Sequence, residues 1–461
     1  MLKLLCAIAI FLYILSEVFP KMDVTFLISS VSLAIVALTF FIVPRFVKIL
    51  GGIFLASGLF MLLNSGAGWK EVLLSFGPML NLLTLFAMVP ILALPIRLGN
   101  YAKGIQKFIS RNVKTSGQLY SMTSGISYFF SIFMNLATLP MTYYSMRPAA
   151  NLYPLQNRER FMSRAITHGF AMPLMWTPVT PIVGIVVEMT GVSWASMLPY
   201  VLPLSIMGLL LDWYMGKLAA RKKRQKGVEY AVNEMAASTE VGEEGQESSG
   251  KISHIFIAII IFNVLISILE QKLTFSFIIL VSLLVIPFAL GWTMLLKKTK
   301  EFKVGLKDHF QTHLLKMKEQ FFIFLAAGFF ISAIQFSDTN VLLNKGIDAV
   351  KDLIGIEVFI ILLPFIPLAL AFTGLHPAVG LALLAEALNP QNMGISPYVL
   401  TVSMLAGAVA AFLMGPYNAT IGLMSSIVKT NSFKVSNWNI SFTALFLCCS
   451  MLYLFLLEFI L

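Results

Sequence analysis

Charge is scarce in this chain. Asp, Glu, Lys and Arg make up 12% of the 461 residues, against 58% hydrophobic residues and a mean hydropathy of +0.85. A soluble domain carries about twice that share of charge, so a water-soluble fold is excluded. Period-two alternation is missing from the long apolar runs, which argues against a membrane β-barrel. Cysteine is also rare. Cys6, Cys448 and Cys449 lie in apolar runs, and neighbouring Cys448 and Cys449 have no metal-site spacing, so neither a disulfide framework nor a zinc cluster is expected. The sequence lacks Gly-x-Ser-x-Gly and Asp-x-Asp. His309 and His313 share an i, i+4 face, but in a Lys-rich stretch without a cysteine, so no metal and no catalytic residue is assigned. A membrane enzyme needs a clustered acid/base or metal constellation, and none is legible.

What the chain does have is apolar runs of about 18–25 residues, enough to cross a hydrocarbon core about 30 Å thick. The fold class expected is an all-α polytopic membrane protein, with about 11 transmembrane helices plus two re-entrant hairpins in two inverted repeats. Lys and Arg favour the cytoplasmic face, and the basic loop from Arg97 to Arg164 fixes the threading. Spans fall at 2–19, 24–44, 48–64, 72–97, 165–189, 194–215, 253–270, 273–297, 319–336, 397–428 and 440–461. The N-terminal run has only Lys3 as a basic flank and no small-x-small cleavage site, so it reads as a retained span. Residues 98–116 and 338–355 read as amphipathic helices at the inner and outer surfaces. The polar stretch inside 217–252 reads as a disordered cytoplasmic linker, and the stretch up to Lys318 as a basic inner loop. This threading leaves 5 of the 33 basic residues outside (Lys21, Lys70, Lys272, Lys345 and Lys351) and 28 inside. The net charge of +11 is therefore a topology signal and not a nucleic-acid footprint. The N-terminus is expected in the cytoplasm and the C-terminus outside, in a bacterial-type inner membrane.

The segments expected are 1–23, a first span; 24–216, a first repeat with an inner hairpin at 117–146 and a broken span at 165–189; and 253–461, a second repeat with an outer hairpin at 356–389 and a broken span at 397–428. Each repeat holds two polar interruptions. The first pair is Met134-Asn135-Leu136-Ala137-Thr138 and Trp176-Thr177-Pro178-Val179-Thr180-Pro181. The second is Thr373-Gly374-Leu375-His376-Pro377 and Gly415-Pro416-Tyr417-Asn418-Ala419-Thr420. Unwound backbone at membrane depth survives only where it is buried in protein or lines a watery cavity. Paired breaks in matching positions point to a transporter's binding site.

Half-helix N-termini hold anions, and freed carbonyls coordinate cations. The expected substrate-binding residues are Asn135, Thr138, Thr180, Thr373, His376, Asn418 and Thr420. Those expected to contact the coupling ion are Asn135, Thr177, Gly374, Asn418 and Ala419. A fixed Lys or Arg there would cost at least about 2.5–3.5 kcal/mol, and an anion site built from dipoles avoids that. The plainer alternative is that Asn and Thr only bridge helices, at about 0.6 kcal/mol per bond, and that the prolines only kink spans. His376 would bind a carboxylate, carry a proton or satisfy a carbonyl, and Glu386 is a lesser proton candidate. His168 is expected at the interface, and Glu188, Asp212 and Glu458 at solvated span ends.

These four interruptions resemble those of the ion transporter superfamily, especially its divalent anion/sodium symporters. Asn135 matches the asparagine of that family's Ser-Asn-Thr tip. Asn418-Ala419-Thr420 lies where the family contacts coupling ion and substrate, whereas the outer tip has no asparagine. The resemblance implies an elevator motion past a scaffold of spans 1–4 and 7–9, and a homodimer. The expected activity is secondary transport of a small organic anion, a carboxylate or dicarboxylate, with Na⁺ or H⁺ as coupling ion and no other cofactor. The rival is a flippase or exporter of a lipid-linked or inorganic anion.

Overall fold

The computed structural model describes residues 1–99, 101, 115–151, 153, 155–224, 252–388 and 394–461. Most of the expected helix at 98–116, most of the 217–252 linker and the Glu386 side chain lie outside that description. Every regular element among the described residues is helical. Among the described residues ten helical stretches are long and apolar enough to cross a membrane, from Thr25–Ile42 to Ser432–Ile460, and one of them, Ser116–Asn151, covers the expected inner hairpin. Leu2–Val18, with 17 residues, and the interrupted stretch 158–190 supply the remaining expected crossings. Large apolar side chains such as Phe41, Phe60, Ile260 and Leu452 are exposed on the outside of the bundle. In water such a surface would aggregate, whereas against lipid it needs no partner. The chain is a multi-pass membrane protein.

Several boundaries move from their expected places. The fourth span begins at Leu80, after the separate short helix Trp69–Leu74. Gly77-Pro78 and Met79, with φ 74°, turn the chain between them, and proline disfavours helix in the residue before it. The same span is interrupted by a 3₁₀ turn at Val89–Leu92 carrying Pro90, before Ala93–Leu98 resumes. The stretch expected as a basic inner loop is the helix Thr299–Lys316, whose Phe302, His309 and Leu314 are buried. His309 Nε2 lies 2.8 Å from the Ala87 carbonyl oxygen, which docks this helix along the fourth span. The sixth span continues as Trp194–Arg224, and Glu270 caps its start by accepting from the Trp194 N–H at 2.7 Å. The amphipathic segment expected at 338–355 is the helix Thr339–Ile354.

A long, close seam joins Arg45–Asn64 to Lys318–Phe336. Gly51 and Gly58, two turns apart, face Phe322 and Phe329, which are wholly buried. A Cβ at Gly58 would lie 3.0 Å from the Phe329 ring and 3.3 Å from Phe330 Cα. Small residues let helix backbones approach where no hydrophobic effect drives them together. Gly51→Leu is expected to destabilise the protein by about 1–3 kcal/mol, because Phe322 has nowhere to retreat. A lowered melting temperature of the purified protein in detergent checks this, and an unchanged one would show that the seam is not close-packed.

Candidate functional site

The first interruption is a corner. Ser116–Met134 starts from a capping box, in which Thr115 Oγ1 accepts from the Gln118 N–H while the Gln118 side chain accepts from the Thr115 N–H. It ends at Asn135, whose φ of 46° and ψ of −135° no helix accommodates. A short 3₁₀ turn, Asn135–Ala137, leads into Thr138–Asn151. The next helix, Arg158–Ala171, lies alongside the first arm. Ser127 Oγ donates to the Ile166 carbonyl at 2.7 Å, and Thr177 Oγ1 to the Ile132 carbonyl at 3.0 Å. Both partners advance together in sequence, so these two stretches run in the same direction. Thr138–Asn151 between them must therefore run back.

The first broken span passes from Arg158–Ala171 through a 3₁₀ turn, Met172–Met175, and an irregular stretch to Pro181–Thr190. Its freed carbonyls are met one by one. Ser205 Oγ donates to Met172 O at 2.9 Å, and Trp194 Nε1 to Trp176 O at 2.8 Å. Thr180 Oγ1 lies 2.9 Å from both Leu174 O and Thr177 O. Trp176 Nε1 donates to Tyr128 OH at 3.0 Å, pinning the break to the first arm.

The second half repeats the plan. Ile356–Leu362 and Phe365–Phe372 lead to a corner at Thr373-Gly374-Leu375, and Pro377–Ala387 follows. Gly407 of Pro397–Met414 abuts the Pro364 backbone, and Gly415 abuts Ala371, again a same-direction pair with a returning arm between. Gly374 has φ 95°, and any Cβ there would collide with the Phe46 ring. That ring stacks on Tyr417 at 4.9 Å. A side chain of Arg45–Asn64 is thus held between the second corner and the second break.

Asn418 organises the second break. Its Oδ1 accepts from the Ile421 N–H at 2.8 Å, capping Ala419–Ile427. Its Nδ2 donates to Ala411 O at 2.8 Å and to Phe412 O at 3.1 Å. His376 caps Pro377–Ala387, with Nδ1 accepting from the Ala378 N–H at 3.2 Å. Its ring sits among Phe86, Phe324 and Phe412, at 5.5, 5.5 and 5.9 Å between centroids.

The two corners approach one helix. The Asn135–Ala137 turn packs on the Val89–Leu92 turn, and His376 touches Phe86, less than one helical turn before Val89. The halves also exchange partners: Thr138–Asn151 packs on Ala419–Ile427, and Pro377–Ala387 packs on Pro181–Thr190. Thr401 Oγ1, early in the second broken span, donates to Thr190 Oγ1 at 3.0 Å, at the end of the first.

The sequence-derived site residues fall into two groups. Thr180 and Asn418 spend their polar atoms on the breaks themselves, and Thr177 spends its hydroxyl on the first arm. His376 caps a helix, and exposed Thr373 bonds to Leu370 O at 2.7 Å. Gly374 forms the corner, and Ala419 opens the last half-helix. In contrast, Thr138 Oγ1 and Thr420 Oγ1 are buried without a partner, as are Thr142 Oγ1 and Ser403 Oγ. Asn135 is half-buried, and its amide has no partner among the described residues. Asn135, Thr138, Thr142 and Thr420 lie where the first returning arm meets the last half-helix, whereas Ser403 sits on Pro397–Met414. His168 and Asp212 correct the expectation of interfacial positions. Both are fully buried, 2.7 Å apart. Among the described residues, no group of three or more His, Cys, Asp or Glu side chains is placed to hold a metal ion.

No family model and no curated protein matches the sequence. Among solved structures, the fold is similar to the YdaH transporter of Alcanivorax borkumensis, with TM-score 0.59 and 11% identity over 88% of this chain and 98% of that one. It is also similar to MtrF of Neisseria gonorrhoeae, described as illuminating a class of antimetabolite efflux pumps, with TM-score 0.55 and 12% identity over 91% of this chain and 96% of that one. At these identities the likeness is one of fold.

The two groups respond differently to substitution. Asn418→Ala strands buried carbonyls and a helix N-terminus and is expected to lower stability by about 1–3 kcal/mol. Thr420→Val removes a hydroxyl that has no partner and should stay within about 0.5 kcal/mol of wild type. Thermal unfolding of both purified variants tests the division, and an equal loss in the two would erase it.

Proposed function

We propose that this protein is a secondary active transporter that moves a small organic anion, a carboxylate or dicarboxylate, across the inner membrane, coupled to Na⁺ or H⁺. The observation that carries the reading is the paired corners and breaks, one set in each half, which approach a common helix and leave unpaired buried hydroxyls beside the last half-helix. In this reading the two sets are re-entrant hairpins and broken spans of two inverted repeats, with the N-terminus cytoplasmic and the C-terminus outside. The exchange of returning arms between halves supports that symmetry.

Cargo is held by Asn135, Thr138 and Thr420, at the N-terminal end of a half-helix that favours anions. Thr177, Thr180, His376 and Asn418 hold the breaks open around it. Gly374 gives the second corner its turn, and the coupling ion sits among freed carbonyls near Asn135 and Ala419. The moving body is the hairpins and broken spans. The scaffold includes the glycine-lined seam of Arg45–Asn64 with Lys318–Phe336, and two copies join through their scaffolds. A second reading, an exporter of an inorganic or lipid-linked anion, is favoured by the efflux role stated for MtrF.

Asn135 offers a clean separation of backbone from side chain. Its positive φ is one that glycine adopts freely, so Asn135→Gly keeps the corner and deletes the amide. The expectation is unchanged melting, with carboxylate uptake into proteoliposomes reduced at least about tenfold, as loss of one buried polar contact worth about 1.4 kcal/mol or more implies. A screen of carboxylates by thermal shift, with and without Na⁺, finds the cargo and the ion, since ligand stabilisation rises with concentration over Kd. Wild-type uptake by Asn135→Gly would remove this residue from the site. Stabilisation by none of the carboxylates, with outward movement of another anion, would favour the exporter.

A further inference from the structure

A buried polar cluster lies away from the corners. Asp212, on Trp194–Arg224, is wholly buried and receives three groups. Tyr120 OH donates to Oδ1 at 2.7 Å, Ser124 Oγ donates to Oδ2 at 2.6 Å, and His168 Nδ1 lies 2.7 Å from Oδ1. On the other side of the imidazole, His168 Nε2 is 3.1 Å from Asn439 Oδ1. The orientation of that amide is fixed by chemistry. Asn439 Nδ2 lies 2.9 Å from the Leu413 carbonyl, which can only accept. Oδ1 must therefore face His168, and His168 Nε2 must carry a hydrogen.

The proton count follows. With Nε2 protonated, a neutral imidazole has a bare lone pair at Nδ1. An ionised Asp212 would then present a second lone pair to it at 2.7 Å, in a buried site with a net negative charge. Tyr120 OH also lies 3.3 Å from Nδ1, but its shorter bond commits its hydrogen to Oδ1, so the 2.7 Å approach is satisfied by one further proton between the two atoms, either as imidazolium facing carboxylate or as neutral imidazole facing carboxylic acid. In both cases the pair is neutral overall, as burial demands.

Among the described residues the charged surroundings are sparse. Arg164, one turn earlier on the same helix, is half-buried and acts on both His168 and Tyr120. Glu159, at the start of that helix, is engaged by Tyr143 OH at 2.8 Å. The first arm supplies Tyr120 and Ser124. The last span supplies Asn439 and Phe442, whose ring stacks on the imidazole at 4.1 Å. Pro397–Met414 supplies only the Leu413 carbonyl.

We propose that His168 and Asp212 form a proton-binding site, and that its proton latches the first arm, the first broken span, the sixth span and the last span together. Loss of the proton to water leaves two facing lone pairs and a buried charge, which only separation of these helices or entry of water relieves. Asn439 carries the change to Leu413, immediately before the second break. Use of this proton as the coupling ion rests on the transport reading; the site and the latch do not.

The test needs no cargo. Infrared difference spectra of the full chain in lipid nanodiscs, taken between about pH 5 and about pH 9, where histidine-centred switches operate, should show carboxyl and imidazole bands changing together. Both bands should vanish in Asp212→Asn and in His168→Gln, which preserve hydrogen bonding. In hydrogen–deuterium exchange corrected for intrinsic base catalysis, peptides from 116–134 and 432–443 should lose protection at the higher pH in wild type. In Asp212→Asn their protection should not depend on pH. Wild-type bands that persist in both variants, or a pair that does not titrate in this range, would overturn the proposal. So would titration without any change in protection. A titrating latch in a protein that moves no anion would defeat the transport reading alone.

Discussion

The structure depends on meeting backbone carbonyls that a helix break frees inside a hydrocarbon-length segment. No water from the lipid side reaches them, and each unmet group costs several kcal/mol. In this molecule side chains from neighbouring helices do that work: Ser205 for Met172, Trp194 for Trp176, and Asn439 for Leu413. Two breaks are met from within by Thr180 and Asn418. The breaks can persist because the neighbours are built around them. The same donors tie arm, broken span and closing span into one body, so a polar requirement becomes a mechanical one.

This requirement also explains why few polar groups near the breaks remain available to a ligand. Most Asn, Thr, Ser and Trp donors there are engaged in holding the backbone. Among the described residues the hydroxyls of Thr138, Thr142, Thr420 and Ser403 stay open, as do those of Ser121 on the first arm and Ser163 on the first broken span. Unpaired buried polar atoms call for a specific reason, and in the transport reading a polar cargo supplies one.

Much of the fold was legible in the sequence because lipid restricts the choices to apolar helices, and because Pro, Gly and Asn mark where helices stop. The interruptions at Asn135, Thr177, Gly374 and Asn418 were read in this way. The length and exposed apolar surface of the spans followed from composition. The division of labour among those residues was not legible, since an asparagine in a sequence does not say whether its partner is its own backbone. The 3₁₀ turn at Val89–Leu92 was hidden in an apolar run whose only sign was Pro90. His168 and Asp212 were placed at boundaries because each stands near a basic cluster. Their pairing depends on two helices meeting, with Asn439 arriving from far along the chain, and no local pattern encodes that. Thr299–Lys316 reads as a loop in the sequence because its lysines outnumber its few buried residues.

The ring of Phe46 sets a condition on any motion between the second corner and the helix that starts at Arg45. It fills the space left by the missing side chain of Gly374 and stacks on Tyr417. A small displacement opens a gap too narrow for water and forfeits much of the contact attraction. Only a shift large enough to reseat the ring restores it. Any shift between the second corner and the helix that starts at Arg45 therefore has to unseat one aromatic ring first.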